Sequence, residues 1–217
     1  AMPPRLALLG CIAFVVWLIR EDNKFRPRCS AAIWIPLVWL LILGSRPVSW
    51  WFGVSISNSW DGNPVDRLVY LSLILASVVV VSKRGLVWGS LTQMNVGLTL
   101  FYAYLGMTMF WADESFVTFK RWFKELGAIP VMLILLTEKD GMAAVRTVFA
   151  RCAYVLLPLS VVLVKYFPDL GRFNSPHGGE PMVTGVTFQK NSLGEIILVF
   201  GLALVWDIMD LLGRRRG

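Results

Sequence analysis

The residues best suited to chemistry lie in one polar stretch, residues 170–194, of an otherwise apolar chain. Five side chains there could bind or move charge: Arg172, His177, Glu180, Lys190 and Asn191. Arginine binds phosphate oxygens through two parallel hydrogen bonds, and a helix that begins near Lys190 would add exposed backbone N–H groups. Fixed positive charges of this kind stabilise negative charge that develops on a leaving group. The pattern predicts a site for an anionic substrate.

The composition predicts that the chain spans a membrane several times. Of its 217 residues, 56% are hydrophobic and only 16% are charged, whereas a soluble domain carries about a quarter charged residues. The aromatic content fits as well, because Trp and Phe favour the boundary between lipid and water. The net charge of +7 would suit nucleic acid, but the basic residues lie at the ends of apolar runs, as they do beside membrane helices. We therefore expect an all-α polytopic membrane helical bundle that contacts membrane lipids and no nucleic acid.

About seven apolar segments could form helices that cross the membrane, each of which needs roughly 20 residues. They extend over residues 6–19, 31–44, 68–82, 94–111, 126–137, 148–167 and 192–212. Residues 112–125 place aromatic side chains on one side of a helix and Lys120, Arg121 and Lys124 on the other, which predicts an amphipathic helix in the interface. Residues 168–190 are predicted to form an outer loop. The whole chain, 1–217, is expected to be a single membrane domain.

The distribution of Lys and Arg predicts which side of the membrane each loop occupies. Slightly more than half of the 21 basic residues fall in the segments 20–28, 83–84, 139–151 and 214–216, which we place inside. The loop 168–190 then lies outside, together with Arg46 and Arg67, which we expect to anchor the chain at the interface. An outer side this basic indicates an anionic ligand there.

The cysteines give no sign of a disulfide framework or a zinc site. Cys11, Cys29 and Cys152 lie in or beside apolar runs, and the sequence contains neither a CxxC motif nor a Cys/His cluster. We therefore expect no metal and no cofactor.

Four short motifs resemble the O-antigen ligase and polysaccharide polymerase superfamily. Residues 185–194, GVTFQKNSLG, resemble its G-x-x-x-x-K-N-x-L-G signature, and Gly171-Arg172 resembles an arginine of the same outer loop. Residues 110–121, FWADESFVTFKR, are similar to a stretch with tryptophan, an acid, serine and arginine. Gly44-Ser45-Arg46-Pro47, with GNPVDR at residues 62–67, is similar to a pattern of one branch. In this order and spacing the motifs cover most of the chain from Gly44 onward.

The resemblance implies a membrane enzyme on the outer, periplasmic side of the bacterial inner membrane. Members of the superfamily transfer glycan from an undecaprenyl-diphosphate carrier to an acceptor glycan or lipid, without a metal ion. The resemblance also implies that the chain is the amino-terminal part of a longer protein, with further arginine and histidine residues expected after Gly217. Ligase and polymerase share the donor, so the resemblance does not separate them.

The resemblance and the side-chain chemistry together suggest a role for each candidate. Arg172 is the predicted catalytic residue, because it would stabilise charge on the departing diphosphate. The predicted substrate-binding residues are Lys190, Asn191, Arg121, His177 and Glu180. Structural explanations stay open: Lys190 could extend to the interface, Asn191 could cap a helix, and Arg121 could contact anionic headgroups. A single histidine in a loop is commonly just solvated, so we do not predict His177 to be the catalytic base.

A transporter of a polysaccharide precursor or another anionic solute is the alternative function. Transporters place ionisable groups and broken helices near the middle of the membrane, often in repeated halves. Away from the inner ends of the predicted spans, where Arg151, Asp207 and Asp210 lie, only Glu195 and Lys165 are ionisable, and the sequence shows no repeat. A non-catalytic scaffold is disfavoured mildly by the Gly- and Pro-rich loop. The sequence favours chemistry at the membrane surface.

Overall fold

The computed structural model describes residues 3–26, 29–53, 63–85, 95–173 and 181–214. Within these ranges the chain is almost entirely helical, which confirms the predicted all-α class. The helices are α1 (Pro4–Phe25), α2 (Trp34–Leu43), α3 (Val48–Trp51), α4 (Pro64–Lys83), α5 (Val96–Met107), α6 (Ser115–Leu136), α7 (Gly141–Tyr166), α8 (Pro168–Gly171) and α9 (Lys190–Arg214). Single 3-10 turns occupy Ala31–Ile33 and Thr108–Phe110, and β1 (Arg172–Phe173) pairs antiparallel with β2 (Met182–Val183).

Three of the helices are long and apolar enough to cross a membrane: α4, α7 and the part of α9 up to Asp210. The apolar helices Ala31–Leu43 and Val96–Phe110 are shorter. α1 and α6 have 22 residues each, but α1 ends and α6 begins with several charged side chains. The described residues therefore support a membrane protein with three candidate spans, fewer than the seven that the sequence predicts.

α7 begins earlier than the sequence indicates. The predicted span starts at residue 148, whereas α7 starts at Gly141. Asp140 caps the helix by accepting a hydrogen bond from the Ala143 N–H at 2.9 Å, which satisfies one of the free donors of the first turn. Arg146, which precedes the predicted span, therefore lies in the same helix as Arg151.

The predicted interfacial segment 112–125 is not a separate helix. α6 begins at Ser115 and continues through Pro130 to Leu136, so it joins this segment to the span that was predicted after it. No turn-forming cluster separates the two halves, and the helix therefore continues.

The described residues form two compact units, Ala1–Pro47 with Asp140–Gly217 and, second, Val48–Lys139. In the second unit α4 packs along α6. Arg84, just after α4, donates hydrogen bonds to the Ile134 carbonyl at 2.8 Å and to Thr137 Oγ1 at 2.7 Å, and it pairs with Glu138 at 2.5 Å. Arg84 thus gives one carbonyl group of the last turn of α6 a hydrogen-bond partner and connects the ends of α4 and α6.

The first unit is built around α7, on which α1, α2 and α9 all pack. Six of the ten buried residues of α7 recur at about every fourth position and form one stripe: Ala144, Val148, Cys152, Leu156, Ser160 and Leu163. This spacing keeps them on one helix face. The stripe is the core of the unit and extends from one end of α7 to the other.

A buried cluster of charged side chains ties α1 to α7 and α9 at one end of the first unit. Arg26, which follows α1, pairs with Asp22 and, at 2.5 Å, with Asp207 of α9. Arg151 of α7 lies 3.6 Å from Asp22 and donates to the Asn23 amide oxygen at 2.6 Å. Burial alone would lower the pKa of Arg26, but its bonds to the two carboxylates outweigh this effect and raise the pKa. Positive and negative charges balance within the cluster, so it can stay buried.

We expect Asp22→Ala to destabilise the protein because it leaves Arg151, which is only 8% exposed, without a carboxylate partner. Loss of one partner of a buried pair costs about 3–5 kcal/mol. Thermal unfolding of the purified protein in detergent would measure the change. Glu21→Ala is the matched control, because the exposed Glu21–Lys24 pair contributes only about 0–1 kcal/mol. Equal unfolding temperatures for the two variants would contradict the proposed importance of the cluster.

Candidate functional site

The segment that precedes α9 packs against the end of α7 through two glycines. Gly171 lies so close to the Leu163 backbone that a β-carbon would collide with it. The Gly171 carbonyl accepts hydrogen bonds from the N–H groups of Thr184 at 2.9 Å and Gly185 at 3.0 Å. Gly185 has a φ of +57°, a left-handed conformation that glycine adopts readily, and it contacts Ser160. The two glycines therefore fix how this segment approaches the helices.

Arg46, which follows α2, holds the same segment from the other side. Its Nε donates to the Thr187 carbonyl at 3.0 Å, and its Nη2 donates to the Leu170 carbonyl and, at 3.4 Å, to Thr184 Oγ1. The Arg46 backbone N–H donates to the Val186 carbonyl at 3.2 Å. All of these acceptors are uncharged. Arg46 thus connects the end of α2 to the segment before α9, a role that the sequence analysis missed.

The paired strands β1 and β2 form a short ribbon. A cavity of about 300 Å³ opens where this ribbon meets the start of α9. Its walls combine apolar with polar side chains: Phe173, Met182, Phe188, Thr184, Gln189, Lys190 and Asn191. The first turn of a helix leaves backbone N–H groups without partners in the helix, and the helix dipole adds partial positive charge there. The cavity therefore suits a molecule that carries an anionic group next to an apolar one.

Arg172 lies beside this cavity but on the other face of the ribbon. Phe173 pairs with Met182, and both line the cavity, whereas Arg172 pairs with Val183. Successive side chains of a strand point to opposite faces, so Arg172 projects away from the cavity. Its Nε donates to the Val164 carbonyl at 3.2 Å. Arg172 and Lys190 share one end of the first unit but do not line one pocket.

The remaining predicted site residues are distributed as follows. Lys190 and Asn191 are exposed at the start of α9 and line the cavity together. Arg121 is exposed on α6 and belongs to the second unit. His177 and Glu180 lie outside the described residues. The structure therefore brings together Lys190 and Asn191, and the roles assigned to the other residues stay predictions.

The two ends of the first unit differ in how their cations are neutralised. At one end each buried arginine pairs with an aspartate, in the pairs Arg26–Asp22, Arg26–Asp207, Arg151–Asp22 and Arg146–Asp210. At the other end no carboxylate of the described chain lies within ion-pair distance of Arg46, Arg172 or Lys190. At ~1.5 Å per residue along α9, Lys190 and Asp207 are ~26 Å apart. The basic segments that the sequence assigns to opposite sides thus lie at opposite ends within this unit.

Arg46 keeps its charge despite its surroundings. Burial lowers the pKa of Arg46. The ordinary pKa of a guanidinium is so high, however, that the group stays protonated at neutral pH. Its positive charge adds to those of Lys190 and the start of α9. This end of the unit therefore carries positive charge that no ion pair among the described residues neutralises.

A signal for Arg46 was present in the sequence. Gly44 lies where α2 approaches α7 so closely that a β-carbon would stand 2.8 Å from Leu156. A glycine directly after an apolar helix, with an arginine two residues later, is consistent with a close helix crossing that ends in a polar contact. The partner of Arg46 could not be predicted from this motif, because Thr187 lies 141 residues away in the sequence.

No candidate for a metal site is found in the part of the chain that the structure describes, which contains no group of three or more His, Cys, Asp or Glu side chains suited to hold an ion. The expectation that the chain needs no metal or cofactor stays a prediction. Comparisons with protein-family models, curated proteins and solved structures each give no match to this chain.

We expect Gly185→Ala to disrupt the segment before α9. A side chain with φ of +57° costs about 1–2 kcal/mol, and its β-carbon would stand 2.9 Å from the β-carbon of Ser160. Gly194→Ala is the control from the same motif, since nothing lies within 4 Å of the added carbon and alanine is favoured in helices by about 1 kcal/mol. Thermal unfolding should show a lower transition temperature for Gly185→Ala and an unchanged or higher one for Gly194→Ala. A transition that Gly185→Ala leaves unchanged would argue against this packing.

Proposed function

We propose that the chain acts as a membrane glycosyltransferase that uses an undecaprenyl-diphosphate-linked glycan, of the O-antigen ligase or polysaccharide polymerase type. The supporting observation is the uncompensated positive charge around Arg46, Arg172 and Lys190, next to a cavity with apolar walls. A prenyl diphosphate combines the two complementary features, because its negative charge lies directly beside a hydrocarbon chain. The acceptor would be a second glycan or a lipid.

For this reaction the protein must bind the diphosphate and stabilise its negative charge as it leaves. An acceptor hydroxyl forms a new bond to the anomeric carbon as the bond between the sugar and the diphosphate oxygen breaks. The electron pair of the broken bond goes to the diphosphate, and the hydroxyl proton is released to water. Lys190 and the first N–H groups of α9 are placed to meet that charge, and Asn191 adds an amide donor. Arg172 could contact the same group only from around the edge of the ribbon. The geometry therefore supports Lys190 as a diphosphate ligand more directly than Arg172.

We further propose that α1, α2, α5 and α6 join α4, α7 and α9 in a bundle of about seven spans, with the cationic end toward the periplasm. Exposed apolar side chains on α1 and α5 support this arrangement, among them Leu9, Ile12, Trp17, Leu100 and Phe101. Two of the charges near the end of α1, those of Asp22 and Arg26, are paired with each other and largely buried. Membrane lipids would then surround these faces.

A transporter of an anionic solute is the second candidate, and the buried cluster supports it. Arg151 and Asp207 lie in α7 and α9, both candidate spans, and ionisable residues inside spans commonly mark a transport path. The cluster is neutral and lies toward one end of the helices, which fits a structural role equally well. Uptake of a labelled anionic solute into liposomes that contain the purified chain would favour the transporter.

We expect Lys190→Gln to reduce surface polysaccharide about 10- to 100-fold in a bacterium that depends on this protein, because a hydrogen bond to a charged group contributes about 1.5–3 kcal/mol. Arg172→Ala and Arg121→Ala test the other predicted cations. Lys24→Gln, an exposed lysine at the opposite end of the first unit, is the control and should leave the amount unchanged. Immunoblots of membrane fractions would show that each variant inserts. A normal amount of surface polysaccharide in all three site variants would refute the proposal.

A further inference from the structure

The guanidinium of Arg46 is largely occupied by the protein itself. Its Nε and Nη2 form the edge that best pairs with two phosphate oxygens. Both nitrogens already donate within the protein, Nε to the Thr187 carbonyl and Nη2 to the Leu170 carbonyl and Thr184 Oγ1. Arg46 is therefore poorly placed to bind a phosphate in the way that the proposed function requires of Lys190.

The acceptors of Arg46 lead directly to the cavity. Thr184, which is only 2% exposed, lines the cavity. Thr187 Oγ1 bonds the Thr184 carbonyl at 2.7 Å and lies 2.8 Å from the Gln189 carbonyl, and Gln189 accepts the first backbone bond of α9 from the Leu193 N–H at 3.1 Å. A continuous series of short polar contacts thus connects Arg46 to the turn that carries Lys190, with the single Thr187 hydroxyl proton shared between the Thr184 and Gln189 carbonyls.

A lysine could not replace Arg46 in this arrangement. The three acceptors lie on different parts of the chain, at residues 170, 184 and 187, and arginine reaches them with two nitrogens of one rigid plane. Lysine carries the same charge on a single nitrogen at the end of a flexible chain. The role of Arg46 therefore depends on its shape as well as on its charge.

We propose that Arg46 is a positioning residue for the cavity at the start of α9. It fixes the backbone around Thr184 and Thr187, so that Lys190, Asn191 and the first N–H groups of α9 converge on one phosphate of a prenyl diphosphate. This inference rests on the proposed function, because it names the group that makes the anion site of that function competent.

The test uses the purified full chain in detergent, with farnesyl diphosphate as the probe. Arg46→Lys should weaken binding about tenfold, since it loses bonds of a charged donor to buried acceptors. Arg5→Lys is the matched control, because Arg5 is exposed in α1 and the charge is kept. Farnesol and inorganic pyrophosphate separate the contributions of the hydrocarbon and the diphosphate. Thermal unfolding of both variants confirms that the measured protein is folded.

Hydrogen exchange reports on positioning without any ligand. The amides of Thr184, Gly185 and Thr187 are bonded to the carbonyls of Gly171 and Thr184. They should exchange faster in Arg46→Lys than in the wild type, whereas the amides of α6 should not change. Unchanged exchange at these three amides would overturn the positioning role, whatever the binding data show.

A double-mutant cycle decides whether Arg46 acts through Lys190. If it does, the losses of affinity from Arg46→Lys and Lys190→Gln should be clearly less than additive, because either change removes the contact between Lys190 and the phosphate. Fully additive losses would show that Arg46 acts independently and would overturn the proposal. A wild-type protein that does not bind farnesyl diphosphate would instead refute the proposed function, and hydrogen exchange alone would then judge the positioning role.

Discussion

A charge that is removed from water must find a partner, and this constraint organises the first unit. Asp22 and Arg26 come from the end of α1, Arg151 from α7 and Asp207 from α9. None of these groups could be buried alone at an acceptable cost in free energy. Together they neutralise one another and hold three helices at one end of an apolar bundle. The packing of α1 therefore depends on residues that lie far from it in sequence.

The opposite end of the unit solves the same problem differently. There the guanidinium of Arg46 is satisfied by carbonyl and hydroxyl oxygens, which bind the N–H groups without cancelling the charge. The tight approach of Gly44, Gly171 and Gly185 makes room for these bonds. The result is a well-packed backbone around a guanidinium that keeps its charge near the start of α9, and a fixed positive charge of this kind favours an anion.

This arrangement separates the residue that supports the backbone from the residues that line the cavity. Arg172, the predicted catalytic residue, lies on the ribbon face that points away from the cavity. Arg46 lies close to the cavity, but its N–H groups bond to the backbone around Thr184 and Thr187. The cavity is lined instead by Lys190, Asn191 and the start of α9, whose backbone N–H groups are held in place by the helix. Preorganised donors of this kind are what make charge stabilisation effective in catalysis.

Local patterns in the sequence were sufficient for the helical class, for most helix positions and for the placement of Lys190 and Asn191 at the start of the last helix. Such patterns depend on neighbours three or four residues apart, which a sequence displays directly. Only the tertiary structure could assign Arg46 to Thr187, 141 residues away, or Arg26 to Asp207, 181 residues away. The face on which Arg172 lies also depends on how β1 pairs with β2, and a shift of one residue would reverse it. Helix formation is local, whereas charge pairing and strand register are settled only when distant segments meet.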